Sequence, residues 1–138
     1  MADVKESRVI PLPIEKVWAV IRPLHFKWLS SVKSVDSEQS DDVLSLKTIN
    51  YKDGTVQKVK VVELSDLQYF ITYDVIESNP PVTMMSAIHT IRLRRISHDN
   101  TTLIEWESDF SYDAGVNVLE DSRFKKREGF ADLVKYLQ

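Results

Sequence analysis

The chain contains no cysteine, which excludes disulfide bridges, thiolate metal ligands and a cysteine nucleophile. Its three histidines are scattered and lack the i, i+4 spacing of a helical zinc site. Glycine is also scarce, and no glycine-rich loop exists to cradle a phosphate group. The three glycines are Gly54, Gly115 and Gly129. The sequence therefore predicts neither a bound metal nor a cofactor.

An excess of positive charge and long apolar runs are lacking as well. The net charge is −3 at pH 7 and the basic residues form no stripe, which disfavours nucleic acid as a partner. No apolar run approaches the ~20 residues of a membrane helix, so stable membrane insertion is not expected. The charged opening MADVKESR has no apolar stretch behind it, and a cytoplasmic location is expected. The length fits one domain over 1–138.

Three segments show helical spacing. Apolar residues recur at i, i+3, i+4 and i+7 between Pro13 and Pro23, which predicts a helix bounded by these prolines. A second short helix is predicted over 24–31 (LHFKWLSS). From about Asn117 the helical period returns, and a long C-terminal helix is predicted. Its inner face is predicted to carry Val116, Leu119, Phe130, Leu133, Val134 and Leu137.

The rest of the chain alternates apolar and polar residues, as LIEWESDFSY (103–112) does most strictly. Such alternation is typical of strands with one buried face and one wet face. Strands are predicted at 3–11, 32–39, 43–51, 55–64, 67–77, 84–96 and 101–112. Short polar connections between them indicate antiparallel hairpins. We therefore predict an α+β helix-grip fold, in which a seven-stranded curved antiparallel sheet wraps round the long C-terminal helix.

Turn positions predict which residues share a face of this sheet. If 97–100 is a turn, Trp106 lies beside Ile91, Ser108 beside His89 and Phe110 beside Ala87, all facing inward. The outer face then pairs Arg92 with Glu105 as a cross-strand ion pair.

Two other turns were interpreted in the same way. A two-residue turn at 65–66 places Val62 beside Tyr69 and Lys60 beside Ile71, so that Lys60 and Lys58 face inward. For the turn at 52–54 we favour a three-residue loop with Gly54 left-handed. This loop places Leu44 and Leu46 on one face with Val62 and Leu64, whereas a two-residue turn would flip the strand.

Several short motifs, in their order and spacing, resemble one superfamily over essentially the whole chain. They are Pro13-Ile14-Glu15-Lys16-Val17-Trp18, Phe26-Lys27-Trp28-Leu29-Ser30 with Val32, the Asp53-Gly54 hairpin, Tyr73-Asp74-Val75 followed by Pro80, and Thr102-Leu103-Ile104-Glu105-Trp106. In these the chain resembles the START and birch-pollen-allergen superfamily, often called SRPBCC, and its small polyketide cyclase/dehydrase and lipid-transport branch.

The resemblance implies a hydrophobic cavity between the sheet and the C-terminal helix, with Trp106 on its wall. The chain departs from the family pattern at three places. The loop 37–42 (SEQSDD) lacks the glycines that are usual between the second and third strands. Lys60 stands where many relatives place a glutamate, and the tight turn at 52–54 disfavours the long gate loop of the plant hormone receptors.

The candidate site combines inward aromatic residues with three polar ones. The predicted ligand-binding residues are Trp28, Lys60, Tyr69, Tyr73, His89, Trp106, Phe110, Phe130 and Val134. Trp106 is either a ligand platform or a core residue. His89 is either a candidate acid/base, oriented by Ser108, or a satisfied buried histidine. Lys60 either meets an anionic ligand group or extends its ammonium to water at the cavity mouth.

The basic run at 123–127 near the C-terminus is interpreted as a solvated helix face, comprising Arg123, Lys125, Lys126 and Arg127. Three hypotheses of function follow. The first is a protein that binds or carries a hydrophobic small molecule such as a lipid, a polyketide-like compound or an aromatic. The second is a cyclase or dehydratase in which His89 moves a proton. The third is a protein-interaction module with a filled core.

Overall fold

The computed structural model of this chain describes residues 2–37 and 46–138. In chain order its elements are β1 (Ala2–Ile10), α1 (Ile14–Ile21), β2 (Val32–Ser37), β3 (Lys47–Tyr51), β4 (Val56–Ser65), β5 (Phe70–Asn79), β6 (Ala87–Ile96), β7 (Thr101–Phe110) and α2 (Val116–Leu137). The strands form one antiparallel sheet in the order β1-β7-β6-β5-β4-β3-β2. The predicted seven strands and long C-terminal helix are thus observed. The predicted strand ends at 38–39 and 43–45 lie outside the described residues.

The inner face of the sheet and the two helices enclose the core. Helix α1 begins after Pro13, whose extended backbone caps it, and buries the predicted stripe of Ile14, Val17, Trp18 and Ile21. Helix α2 contributes Lys126, Gly129, Phe130 and Leu133 to the buried interior. Neither helix in 2–37 or 46–138 combines the length and the apolar character needed to span a membrane.

The register predicted for the β6–β7 hairpin is confirmed. Ile91 pairs with Trp106, His89 with Ser108, and Ala87 with Phe110. Along β7 every second residue from Thr102 to Phe110 is buried, as the alternation in the sequence predicts.

The ion pair predicted on the outer face of this hairpin is wrong, although the register that suggested it is right. Arg92 lies over the ring of Phe70, with its guanidinium carbon 4.4 Å from the ring centroid. Glu105 instead binds Arg94 at 2.7 Å and Lys5 at 3.2 Å. Long side chains can reach diagonal neighbours on a sheet face, which explains why Glu105 binds Arg94 and Lys5 and not the directly opposed Arg92.

The loop predicted for the β3–β4 hairpin is also confirmed. The backbone N–H of Tyr51 donates to the carbonyl of Thr55, and Gly54 has φ +92° in the three-residue loop between them. The face assignment that accompanied this prediction is wrong for Val62, which is exposed, whereas Leu64 packs against the core as predicted. The fully buried residues of the two strands include Ile49 of β3 and Val59 of β4. Leu44 lies outside the described residues, and Leu46 is only partly buried.

The predicted register of β4 against β5 is wrong. The turn spans residues 66–69 rather than two residues, and a bulge lies between Val61 and Glu63. Val59 and Val61 consequently face the core, whereas Lys60 pairs with Asp74 on the outer face and is exposed. A one-residue shift in pairing exchanges the two faces of a strand, so Val62 is exposed as well. Leu67, predicted in a strand, lies exposed in the turn.

The second short helix predicted over 24–31 does not form, and the segment consists of turns. Leu24 and Phe26 have φ values of +52° and +51°, a left-handed conformation that a right-handed helix does not accept. Leu24, Phe26 and Trp28 are all buried. Burying alternate side chains in the core therefore outweighs the helical preference of this segment.

Candidate functional site

Aromatic rings from four parts of the chain converge on the inner face of the sheet. Trp106 of β7 lies 5.5 Å from Trp28, 6.1 Å from Phe130 of α2 and 6.3 Å from Phe26, between ring centroids. The indole N–H of Trp106 donates to the hydroxyl of Tyr73 at 3.1 Å. This aromatic cluster, defined by these five residues, lies beneath α2 at the middle of the sheet.

A chain of hydrogen bonds between polar side chains lies beside the aromatic cluster. Nζ of Lys126 on α2 donates to Oγ of Ser108 at 2.5 Å and to Oγ of Ser122 at 2.7 Å. Oγ of Ser108 lies 2.6 Å from Nδ1 of His89. Because Ser108 accepts from the ammonium, its own proton is free to point at Nδ1, which then acts as the acceptor. We call this set, Lys126, Ser108, Ser122 and His89, the polar relay.

The polar relay is held in an apolar environment. Ser108 is fully buried and Lys126 is only 4% exposed. The His89 ring stacks on Tyr73 at 5.0 Å and meets Phe110 edge-on at 6.1 Å. Nζ of Lys126 lies 5.4 Å from the ring centroid of Trp106. The relay thus places one cationic group among aromatic faces.

Burial changes the protonation of both titratable members. Desolvation lowers the pKa of Lys126 to about 8, against the weaker opposing influence of Glu6 and Asp3. Desolvation, assisted by the Lys126 charge, lowers the pKa of His89 to about 4. At neutral pH the ammonium therefore carries the charge and the imidazole is neutral. A base with so low a pKa is a weak proton acceptor, which disfavours His89 as a general base near neutrality.

The charge on Lys126 has no carboxylate partner in ion-pair contact within 2–37 and 46–138. The nearby carboxylate of Glu6 is bound by the guanidinium of Arg127. Lys125, the preceding residue of α2, is exposed and pairs with Asp121 one turn earlier. The basic run is therefore solvated as predicted at Lys125, but the prediction is wrong for Lys126.

Lys126 is the functional candidate that the sequence analysis missed, and a signal for it was present. It lies four residues before Phe130 and seven before Leu133, so extending the inner stripe of α2 backward by one turn reaches it. A lysine at such a position on the stripe faces the core.

The structure brings together most of the predicted site residues and separates three. Those that converge are Trp28, Tyr73, His89, Trp106, Phe110 and Phe130. Lys60 is excluded because it lies on the outer face. Tyr69 lies in the β4–β5 turn and packs edge-on against Trp18 of α1 at 5.8 Å. Val134 lines a separate groove near the end of α2.

The hollow expected beside Trp106 is filled by side chains in the described part of the chain. The indole is 8% exposed and is flanked by Phe26, Trp28 and Phe130. A Cβ atom placed on Gly129 would lie 2.9 Å from Cζ3 of Trp106, so helix and indole are in close contact. The expectation of a preformed cavity walled by Trp106 is therefore wrong for this conformation.

Two grooves instead flank the last turns of α2. One of about 260 Å³ lies between residues 27–30 and helix residues Asp132, Lys135 and Tyr136. Trp28 forms part of this groove and its ring also contacts Trp106, so Trp28 lies between the groove and Trp106. The other, of about 170 Å³, lies between residues 10–12 and the end of α2.

The turn segment that carries Trp28 is fastened to α2 by one carboxylate. The backbone N–H and the hydroxyl of Ser30 both donate to Oδ2 of Asp132, at 2.9 and 2.8 Å. These contacts hold residues 27–30 over the aromatic cluster.

The chain matches one protein family over its full length. The family described as "Polyketide cyclase / dehydrase and lipid transport" matches residues 1–138. No curated protein sequence matches significantly.

Solved structures share the fold at low sequence identity. A protein from Nitrosospira multiformis is 24% identical with a TM-score of 0.82, covering 99% of this chain and 97% of that one. The protein XoxI from Bacillus cereus is 19% identical with a TM-score of 0.85, covering 99% and 96%. Ara h 8.0201 is 16% identical with a TM-score of 0.77, covering 99% and 97%. The predicted helix-grip fold is confirmed.

Proposed function

We propose that this chain, which belongs to the family of polyketide cyclases/dehydrases and lipid-transport proteins, binds an apolar small molecule between its sheet and α2. Ligand sites of this kind are mostly apolar and aromatic, with a few polar groups that fix orientation. The aromatic cluster and the polar relay supply these two components side by side. We further propose a cytoplasmic location for the protein.

The observation that carries the proposal is the buried ammonium of Lys126. Burying a charge without an ionic partner costs free energy of folding, and an apolar residue of similar size would avoid that cost. Two serine hydroxyls, on Ser108 and Ser122, compensate only by hydrogen bonds. Groups that lower stability in this way are concentrated at functional sites. A ligand atom that accepts a hydrogen bond would give this charge its missing partner.

Because side chains fill the space beside Trp106, binding requires them to move. The side chain best placed to do so is Trp28, which stands between the 260 Å³ groove and Trp106. Its backbone belongs to a turn segment fastened to α2 through the Ser30–Asp132 contacts. We propose that the ligand enters at this groove and displaces the Trp28 indole from Trp106.

The test is a titration with the neutral probes naphthalene-2-acetamide and 1-dodecanol, followed by tryptophan emission and by the melting temperature. Binding next to Trp106 is expected to shift the emission and to raise the melting temperature. The Trp106→Phe variant should lose most of the emission change. The matched control is Trp18→Phe, whose indole N–H is bound to Asp66 in the β4–β5 turn, and it should keep the change.

If neither probe changes emission or melting temperature, the proposal fails. The filled interior would then favour the third hypothesis, a protein-interaction module without a ligand. If the probes bind but Trp18→Phe removes the response and Trp106→Phe does not, the ligand site lies at the α1 end of the core instead.

A further inference from the structure

The polar relay has the charge and the donors to recognise one chemical group. Lys126 offers a single positive charge, and Ser108 and Ser122 offer hydroxyls within hydrogen-bond distance of it. The other titratable member, His89, is neutral near pH 7 because its pKa is lowered to about 4. The relay therefore carries a net charge of one unit, and a monoanion would balance it.

The fit is to a carboxylate rather than to a phosphate. A phosphate monoester carries about 1.5 to 2 negative charges near pH 7 and is usually held by several cations or arginine forks. The guanidinium of Arg127, the residue that follows Lys126 on α2, is occupied by Glu6. A second negative charge at the relay would stay buried and unpaired, which is costly. A carboxylate has one charge and two acceptor oxygens, which match one ammonium and one serine hydroxyl. The Ser108 hydroxyl supplies this donor when its proton turns from His89 to the ligand and His89, as the Nδ1–H tautomer, donates to Oγ of Ser108.

The side chains around the polar relay indicate which kind of molecule carries the carboxylate. The rings of Trp106, Tyr73 and Phe110 border the relay, and the first two of these belong to the aromatic cluster. A ligand whose carboxylate meets Lys126 would place its remaining atoms among these rings. Such a ligand is an apolar acid with no second charged group.

We propose that Lys126, together with Ser108, binds the carboxylate of an apolar aromatic or aliphatic acid whose body lies in the aromatic cluster. This inference rests on the proposed function and names the ligand class of the same site. Nearby negative charges do not occupy the position. Glu6 is bound to Arg127, and Asp3 makes no ion pair with Lys126 within the described residues.

The experiment compares an isosteric pair, naphthalene-2-acetate and naphthalene-2-acetamide, by isothermal titration calorimetry at pH 7. A hydrogen bond to a charged group corresponds to roughly 10- to 100-fold in affinity. We therefore expect the acid to bind wild-type protein roughly 10-fold or more tightly than the amide. In Lys126→Met the acid should lose this advantage over the amide.

The matched control is Lys125→Met, which removes a lysine charge from the exposed side of the same helix turn. It should leave the preference for the acid intact. Lys126→Gln serves as a second variant, because it keeps a hydrogen-bond donor without charge. Circular dichroism establishes that each variant is folded before its affinities are compared.

The outcomes separate this inference from the proposed function. Equal affinities of acid and amide for wild-type protein overturn the carboxylate assignment and leave apolar binding intact. A preference for the acid that persists in Lys126→Met and Lys126→Gln also overturns it, since the charge then lies elsewhere. If neither compound binds wild-type protein, both this inference and the proposed function fail.

Discussion

The indole of Trp106 on β7 packs directly against the backbone of Gly129 on α2. A Cβ atom at position 129 would lie 2.9 Å from Cζ3 of Trp106 and 3.0 Å from Cδ2 of Leu29. Glycine inside a helix costs about 1 kcal/mol relative to alanine. The cost is accepted here because only glycine lets α2 approach the sheet this closely.

Gly129→Ala is therefore expected to destabilise the protein, even though alanine is the better helix former. Overpacking a tight core costs about 1–3 kcal/mol, which exceeds the gain of about 1 kcal/mol in helix propensity. Urea unfolding of the variant and the wild type measures the difference in the free energy of unfolding.

The control for this prediction is the double variant Gly129→Ala with Trp106→Phe. Phenylalanine lacks the Cζ3 atom that the new methyl group meets, so the two changes should be less than additive. Ala131→Gly, at an exposed position of the same helix, should lose about 1 kcal/mol by propensity alone. A Gly129→Ala variant more stable than wild type would contradict the close contact.

Lys126→Met is expected to raise the free energy of unfolding at pH 7. Methionine has a similar length and removes the cost of burying an ammonium without a carboxylate partner. Replacing buried charged groups by apolar ones is often neutral or stabilising by about 1–4 kcal/mol. Thermal or urea unfolding measures the change, and Lys125→Met should be nearly neutral because that lysine is exposed. A loss of several kcal/mol in Lys126→Met would show that the ammonium is structurally required.

The same lysine should make stability depend on alkaline pH. Its pKa is about 8 in the folded protein and 10.5 in the unfolded chain, so between these values the unfolded chain binds more protons. The free energy of unfolding should consequently rise from pH 8 toward pH 10, with a limit of about 3 kcal/mol for a shift of this size. Urea unfolding at several pH values between 8 and 10 measures this free energy, and its rise with pH should vanish in Lys126→Met. A flat profile in the wild type would contradict the lowered pKa.

His89 should contribute a second pH dependence on the acidic side. Because its pKa is lowered from 6.5 to about 4, its contribution is fully present above pH 6.5 and is lost as pH falls toward 4. The loss can reach about 3 kcal/mol, and His89→Gln should remove it while keeping a polar side chain for Ser108. Comparing the urea unfolding of the two proteins from pH 7 to 4 isolates the histidine from the carboxylates. Parallel profiles would mean that His89 protonates normally.

Asp132 should control the mobility of the segment that carries Trp28. In Asp132→Ala the two hydrogen bonds from Ser30 are lost, so amide hydrogen exchange over residues 27–30 is expected to accelerate. The free energy of unfolding should fall by about 1–3 kcal/mol, which is the usual cost of removing hydrogen bonds to a charged group. Asp121→Ala, which removes an exposed helix carboxylate, should change exchange in 27–30 little. Unchanged exchange in Asp132→Ala would contradict the fastening role.

Much of the β6–β7 hairpin follows from the sequence alone. Alternation in 103–112 and a polar turn at 97–100 determine both the faces and the pairing, and the observed register agrees throughout. The prediction works because the turn has the assumed length and the strands contain no bulge. His89 and Ser108 were placed beside each other for the same reason.

The β4–β5 hairpin shows where this method fails. The turn is four residues long, with Tyr69 at φ +55°, and a bulge follows Val61. Neither feature has a strong local signal, because a tyrosine is not a usual residue for a left-handed turn position. The error exchanged the faces of β4 and placed Lys60 in a site that it does not reach.

The sequence by itself determined the order of the strands, the first and last helices, the family and the inner face of β7, because side-chain periodicity and turn residues act over a few neighbouring residues. Only the tertiary structure decided that Lys126 meets Ser108, that residues 24–31 do not form the predicted helix, and that aromatic rings fill the expected hollow. Each of these depends on atoms far apart in the chain competing for one buried volume, and close packing resolves that competition only when all the elements are in place.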